Sequence, residues 1–198
     1  MLLERYYLTH LLFQYAPVTT WMETDAFISY CLEKDVPALV RLTLLSDGSL
    51  VKFLRSLYMI EISADVKAQS YVGMSIEMAK FLDSSEGRDS IIRDAWLCCD
   101  GKRLVYAHSF IDAFEMEEMI QKGINKKIMP LGVLLSEYNL PLIRDQLYIT
   151  QLKSDDLAKE FSVNENTFWA RCYRLRGVDG FNSAILEVFS PGIFATGQ

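Results

Sequence analysis

The sequence predicts an α+β fold with a mainly antiparallel sheet. Before residue 60, apolar residues recur every three or four positions, which indicates helices. Further along, β-rich runs flank two Asp-Gly dipeptides, and Asp-Gly between apolar runs is a strong hairpin signal because glycine accepts a positive φ. Helices first and antiparallel hairpins afterwards are typical of the α+β class.

The first half of the chain carries the helical signals. With 198 residues, of which 51% are hydrophobic, the length and composition fit one domain. We expect residues 1–198 to form this domain, with residues 1–45 as an N-terminal helical extension. The stretch "DVPALVRLTLLSDGSLVKFLRSLYM" predicts two helices around "SDGS", with Asp47 or Ser49 capping the second helix.

The second half carries the strand signals. "MIEISADVKAQSYV" alternates between apolar and polar residues, which predicts a strand with one solvated face. "IIRDAWLCC" and "RLVYAHSFI" predict a hairpin around Asp100 and Gly101, and "FEMEEMIQKG" predicts a short helix that ends at Gly123. "FWARCYRLRG" and "SAILEVFSP" predict a second hairpin around "VDGFN".

Composition argues against several classes of function. The net charge is −6 and no block of Lys and Arg occurs, whereas nucleic-acid binding relies on clustered cations. On a regular strand, Arg174 and Arg176 share a face that Arg171 does not. We therefore expect these three arginines to bridge acidic neighbours or to line a pocket mouth, and we expect no nucleic-acid partner.

Cysteines, histidines and hydropathy favour a protein without metal, disulfide or membrane span. The four cysteines lack Cys-x-x-Cys spacing and the chain has only two histidines, so we expect no metal site and no disulfide. No run reaches the roughly 18 apolar residues that a spanning helix needs. The N-terminus resembles neither a signal nor a transit peptide. We expect a soluble, cytoplasmic monomer.

Two charged residues lie unexpectedly within apolar strands. Arg93 shares a strand face with Ile91, Ala95, Leu97 and Cys99, so its guanidinium needs an anion. Glu187 has apolar neighbours on both faces, so its carboxylate needs a partner or a proton. Either the two residues pair with each other or reach water at a sheet edge, or they line a ligand pocket from neighbouring strands.

The stretch "MPLG" places a sharp turn before an apolar segment. Proline in the first turn of a helix is a common helix start. Backbone N–H groups at a helix start also bind anions well. The sequence leaves both interpretations of this turn open.

Four blocks together resemble the chorismate lyase family, whose enzymes split chorismate into 4-hydroxybenzoate and pyruvate. These blocks are "IIRDAWLCCDGK", "MPLGVLL", "FWARCYRLRG" and "AILEVFSP". The resemblance as a whole covers roughly residues 45–191. The resemblance implies a six-stranded antiparallel sheet with a ligand enclosed under helical flaps. It also implies that no cofactor takes part.

The resemblance assigns roles to individual residues. It places the ligand arginine at Arg93, the turn leucine at Leu131 and the catalytic glutamate at Glu187. Leu50 stands where the family has methionine, at a position whose backbone helps to hold the ligand. Arg93 and Glu187 are thus the expected catalytic residues, and Leu50 and Leu131 complete the expected substrate site.

The chain also departs from the family pattern. His108 replaces an arginine and Asp112 replaces a proline, so the pocket entrance is expected to lack one cation. Divergent chains of this kind occur in cyanobacteria and plastid genomes, which implies plastoquinone synthesis and, for a plastid-encoded chain, the stroma.

Two alternatives share the same fold. An effector-sensing domain of a transcription regulator would need a DNA-binding module, and no basic recognition helix follows the acidic N-terminal segment. A catalytically silent carrier of an aromatic acid would not need both Arg93 and Glu187.

Overall fold

In a computed structural model, one antiparallel sheet forms the centre of the protein. The structure describes residues 15–114, 116, 118–126, 129–137, 141–177 and 180–195. The strands are β1 (Ala16–Pro17), β2 (Met22–Glu23), β3 (Ser63–Gly73), β4 (Asp89–Cys99), β5 (Lys102–Asp112), β6 (Leu142–Lys153), β7 (Thr167–Gly177) and β8 (Asn182–Phe189). The helices are α1 (Thr24–Lys34), α2 (Ala38–Leu45), α3 (Leu50–Tyr58), α4 (Ile76–Leu82), α5 (Glu118–Asn125), α6 (Leu131–Glu137) and α7 (Asp155–Phe161), followed by a 3₁₀ turn at Pro191–Ile193.

The strand order is β1-β6-β7-β8-β5-β4-β3, and the short β2 also pairs with β6. All the pairings are antiparallel. The predicted α+β class with a mainly antiparallel sheet is therefore confirmed. Six long strands carry the sheet, and β1 and β2 add two residues each at one edge.

Both predicted hairpins form. Asp100 and Gly101 have φ values of 48° and 74° between β4 and β5, the positive values that a two-residue turn requires. In the second hairpin Arg176 pairs with Asn182, while Val178 and Asp179 lie outside the described residues.

The helix pair around "SDGS" is confirmed, and Ser49 is the cap. Its Oγ accepts a hydrogen bond of 3.3 Å from the backbone N–H of Lys52. Met59 ends α3 in the left-handed conformation with φ 56°. The strand that was predicted from Met59 onward consequently begins at Ser63.

The prediction that Gly123 ends a helix is wrong, because α5 continues to Asn125. Gly123 is buried inside the helix, where a Cβ atom would overlap the Cδ1 of Leu134 on α6. This glycine lets two helices approach closely instead of terminating one of them.

The two faces of the sheet bury different sets of side chains. On one face, α4 and α7 cover a core that includes Trp96, Cys172 and Leu186; we call it the α4/α7 face. On the other face, α1, α2 and α3 cover one cluster, and α5 and α6 cover another. We call this second side the cavity face. No helix of the described chain is long and apolar enough to cross a membrane.

Candidate functional site

A cavity of about 320 Å³ lies between the cavity face and the first turns of α3 and α6. All four residues that the sequence singled out for ligand binding line it: Leu50, Arg93, Leu131 and Glu187. Further walls come from Leu97, Leu142, Leu175 and Ile185. The cavity is therefore largely apolar, with a few charged groups at defined positions.

The floor of the cavity is made by β4, β5 and β8. The expectation that Arg93 and Glu187 lie on neighbouring strands is wrong, because β5 separates their strands. Ser109 of β5 pairs with Arg93, and Ala107 of β5 pairs with Glu187. These two small side chains leave open space between the arginine and the carboxylate.

Arg93 is buried without a carboxylate partner in the described chain. It is only 4% exposed, and its Nη2 donates a hydrogen bond of 2.7 Å to the carbonyl of Met129. Its Nε is buried and has no acceptor among the described residues. Burial lowers the pKa of this guanidinium, because burial penalises its charged form. An anion in the cavity could satisfy this charge.

Glu187 pairs with Arg171 and not with Arg93. The Nε of Arg171 donates to Oε2 of Glu187 at 2.6 Å, and the hydroxyl of Tyr173 donates to Oε1 at 3.1 Å. Burial raises the pKa of the Tyr173 hydroxyl, and the Glu187 carboxylate raises it further. The alternative that Arg93 and Glu187 simply pair with each other is therefore wrong.

Arg171 also ties the sheet to the segment that covers the cavity. Its side chain is fully buried, and its Nη1 donates to the carbonyls of Thr43, Leu44 and Ser46 at 2.8, 3.2 and 2.8 Å. These carbonyls end α2, where a helix leaves acceptors unsatisfied. One arginine thus fixes both the Glu187 carboxylate and the start of the loop that leads to α3.

The other two arginines of β7 lie on the α4/α7 face. Arg174 donates to both carboxylate oxygens of Asp145, at 2.8 and 3.1 Å, and Arg176 forms an ion pair with the same carboxylate. The prediction that the three arginines bridge acidic neighbours is confirmed.

Arg144 is a cavity residue that the sequence did not reveal. It lies on β6, and its guanidinium stacks 4.3 Å from the ring centre of Tyr173. It donates to the carbonyl of Ser46 at 2.7 Å and to the carbonyl of Gly48 at 3.2 Å. Arg144 lies next to a break in the β6–β7 pairing register. This break interrupts the alternation of apolar and polar residues that would have indicated a strand.

The turn before α6 is a helix start that also borders the cavity. Pro130 accepts backbone hydrogen bonds from Val133 and Leu134, both at 3.1 Å, so the turn is a regular helix start. It also lines the cavity. Helices supply no acceptor for the N–H groups of their first turn, and Leu50 and Leu131 are the first residues of α3 and α6. Two backbone donors therefore lie beside the cavity.

His108 lies on the opposite side of the sheet from the cavity. Its Nδ1 is 2.7 Å from Oδ1 of Asp94, which also accepts a 2.5 Å hydrogen bond from Tyr106. Tyr106 belongs to the core under α4 and α7. The expectation that this position deprives the pocket entrance of a cation is wrong, because His108 is absent from the cavity wall.

A second depression lies between α1, α2 and α3. It has a volume of about 630 Å³, and its walls are almost entirely apolar, with Arg41 as the single charged lining residue. Among the described residues, no group of three or more His, Cys, Asp or Glu side chains is placed to hold a metal ion.

Known structures resemble this fold. PhnF from Mycobacterium smegmatis superposes with a TM-score of 0.59 at 12% identity, over 95% of this chain and 94% of that chain. The effector domain of the same protein gives 0.58 at 12% identity, over 75% and 91%. The ligand-binding domain of a GntR-family regulator from Bordetella bronchiseptica gives 0.54 at 12% identity, over 66% and 85%. These likenesses show the fold alone.

Sequence comparison gives the family. No curated protein sequence matches the chain. The family model described as "Chorismate pyruvate-lyase Rv2949c-like" matches residues 44–196, close to the range of the whole resemblance. That description names no cyanobacterial or plastid branch. The chain belongs to the Rv2949c-like chorismate pyruvate-lyase family.

Proposed function

We propose that the protein converts chorismate to 4-hydroxybenzoate and pyruvate without a cofactor. The observation that carries the proposal is the buried Arg93, which has no carboxylate partner in the described chain and lines the same cavity as Glu187. Such a charge is costly to bury unless an anion compensates it. Membership of the chorismate pyruvate-lyase family supports chorismate, which carries two carboxylates, as that ligand.

In this proposal the ring carboxylate of chorismate binds at Arg93. The backbone N–H groups of Leu50 and Leu131 add two donors from the cover of the cavity. The apolar walls at Leu97, Leu175 and Ile185 contact the faces and edges of the ring. The ring hydroxyl then lies toward Glu187, whose Oε1 and Oε2 already accept from Tyr173 and Arg171 and keep further acceptor capacity.

The proposed reaction is an elimination. A proton leaves the ring carbon that bears the hydroxyl, and the electron pair of that C–H bond completes the aromatic ring. The bond between the neighbouring ring carbon and the ether oxygen breaks, and enolpyruvate leaves with that oxygen. Enolpyruvate gains a proton and becomes pyruvate. Because aromatisation drives the step, the protein supplies positioning and proton management. Glu187 holds the hydroxyl or mediates the proton transfer.

Pyruvate release tests the proposal directly. Purified protein is incubated with chorismate while pyruvate is followed through lactate dehydrogenase, with boiled protein as the control for spontaneous decay. Pyruvate and 4-hydroxybenzoate released in equal amounts support the lyase. Tight binding of 4-hydroxybenzoate without any pyruvate would instead identify an effector-sensing or carrier domain of the same fold.

Several broader expectations complete the proposal. The chain is proposed to act as one domain over residues 1–198, with residues 1–45 as an extension, and to be a monomer in the cytoplasm or plastid stroma. Its product is proposed to supply ubiquinone or plastoquinone synthesis. Size-exclusion chromatography with light scattering checks the monomer, and limited proteolysis checks the single domain.

A further inference from the structure

We infer that Arg144 binds the carboxylate of the enolpyruvyl side chain, so that two arginines at opposite sides of the cavity each recognise one carboxylate of chorismate. This inference rests on the proposed function. It adds a substrate-binding residue to those that the family resemblance assigns.

The two arginines reach the cavity from distant strands. Arg93 lies on β4 and Arg144 on β6, with β5, β8 and β7 between them. Four sheet steps separate their backbones by about 19 Å, yet both side chains line the same cavity. A ligand that fills the space between them therefore has one arginine on each side.

The other charged residues of the cavity wall do not compensate the positive charges of Arg93 and Arg144. The charged lining residues are Asp47, Lys52, Arg93, Arg144 and Glu187. The carboxylate of Glu187 is matched by Arg171 outside the lining, and Asp47 and Lys52 are exposed to water. In the described chain, no carboxylate lies within ion-pairing distance of Arg93 or Arg144, whereas Arg174 and Arg176 share Asp145.

Arg144 has a buried N–H donor without a partner in the described chain. Its Nη1 and Nη2 donate to the carbonyls of Ser46 and Gly48, which are neutral acceptors and leave the positive charge uncompensated. Its Nε is buried and has no acceptor among the described residues. A ligand carboxylate at this donor would gain a charge-assisted hydrogen bond.

The chemistry of the ligand fits two cations. Chorismate carries a carboxylate on the ring and another on the enolpyruvyl group, whereas 4-hydroxybenzoate keeps only the ring carboxylate. A residue that binds the enolpyruvyl carboxylate contributes to substrate binding and loses its ligand group when pyruvate leaves. The competing explanation is that Arg144 only holds the loop of residues 46–49, which would affect substrate and product alike.

The test compares substrate with product in matched variants. Initial rates of pyruvate release give kcat/KM for chorismate, and inhibition by 4-hydroxybenzoate gives the affinity for the product. The variants are Arg144→Ala, Arg144→Lys and, as a charge-removal control, Arg55→Ala, whose side chain is exposed and pairs with Glu61. If the wild-type protein releases no pyruvate, calorimetric titration with each compound gives the two affinities.

We expect Arg144→Ala to lower kcat/KM for chorismate by about 10- to 100-fold, the range for a hydrogen bond to a charged group, with the product affinity changed less than about twofold. Arg144→Lys recovers part of the loss, and Arg55→Ala changes neither value. An equal loss for both compounds, or no loss for either, overturns the inference, as does a wild-type protein that binds neither. If the wild-type protein releases no pyruvate but Arg144→Ala selectively weakens chorismate binding, the inference is supported and the proposed lyase activity is rejected.

Discussion

The two faces of the sheet treat their arginines differently. On the α4/α7 face, Arg174 and Arg176 share Asp145, and Arg103 pairs with Glu160. On the cavity face, Arg171 is matched by Glu187, but Arg93 and Arg144 have no carboxylate partner in the described chain. Each of these arginines on the first face has a carboxylate partner, whereas the second face keeps two unmatched arginines at the proposed site of an anionic ligand.

This difference separates stability from binding. Removing a paired arginine on the α4/α7 face breaks a structural contact without touching the cavity. Removing Arg93 on the cavity face relieves a buried charge and takes away a proposed ligand donor, and removing the half-buried Arg144 takes away another. The Arg171–Glu187 pair belongs to both categories, because it is fully buried and borders the cavity.

The largest effect is expected for Glu187→Gln. The amide keeps the shape but cannot take up a proton, so kcat falls by roughly 100-fold or more if Glu187 manages the proton. Because the substitution also leaves the buried guanidinium of Arg171 without its counter-ion, we expect the free energy of unfolding to fall by about 3 kcal/mol. Steady-state kinetics and urea unfolding measure the two losses.

Tyr173→Phe is the matched control for this substitution. It removes only the hydrogen bond to Oε1 of Glu187 and leaves the ion pair with Arg171 in place. A smaller loss of stability, about 1 kcal/mol, is expected. A stable Glu187→Gln protein with undiminished kcat would remove Glu187 from the chemistry.

Arg93→Ala sharpens the comparison between the faces. We expect it to weaken 4-hydroxybenzoate binding by about 100-fold, the loss that follows when one partner of a buried charge pair is truncated, while the fold survives. Arg174→Ala on the α4/α7 face should leave that affinity unchanged and lower stability instead. Calorimetric titration and thermal unfolding of both variants distinguish these results. Unchanged binding with a collapsed melting temperature would make Arg93 a structural residue.

Much of the fold could be predicted because its signals are local. The Asp100-Gly101 turn and the capped helix at Ser49 depend on a few neighbouring residues. The strand β6 was missed because Gln146, with φ 51°, lies at a break in its pairing register and interrupts the alternation by which strands are recognised. Because β6 was not predicted, the sequence did not identify Arg144 as a cavity residue.

The site could be predicted only as a set of residues, not as a set of contacts. Burial of Arg93 and Glu187 followed from their apolar neighbours. Their partners depend on register and strand order, which long-range packing decides. The pairing of Arg171 with Glu187 could in part have been predicted from the sequence, since the two residues lie at matching positions on either side of the second hairpin turn.

Two glycines on neighbouring helices allow a smaller test. Gly123→Val on α5 places a branched side chain against the buried Leu134, and we expect it to lower stability by about 2 kcal/mol through overpacking. Gly132→Val on α6 meets no protein atom within 4 Å of its Cβ but borders the cavity. It should reduce activity more than Val133→Ile does, because the turn brings the backbone close to the ligand.

Urea unfolding and pyruvate release of these variants check both expectations. If Gly132→Val and Val133→Ile lower activity equally and only slightly, the turn is a helix start without a role in ligand binding.

The smallest effect concerns acid stability on the α4/α7 face. Burial raises the pKa of the Asp145 carboxyl. The hydrogen bonds and charges of Arg174 and Arg176 together lower it by more than burial raises it, so the net pKa is lowered. A carboxyl with a lowered folded pKa stabilises the protein above its unfolded pKa, near 3.9, and loses this contribution as pH falls through the folded pKa. Asp145→Asn should cost about 1 kcal/mol at pH 7, and the difference from wild type should shrink below about pH 4.

A structure with bound 4-hydroxybenzoate tests the account most directly. The account predicts the ligand in the cavity between the sheet and the first turns of α3 and α6. A carboxylate oxygen should lie about 3 Å from the guanidinium of Arg93, with the phenol oxygen within hydrogen-bonding distance of Glu187. A ligand found in the apolar depression between α1, α2 and α3, or one whose carboxylate does not contact Arg93, would contradict the claim that the unmatched charge of the cavity face binds the aromatic acid.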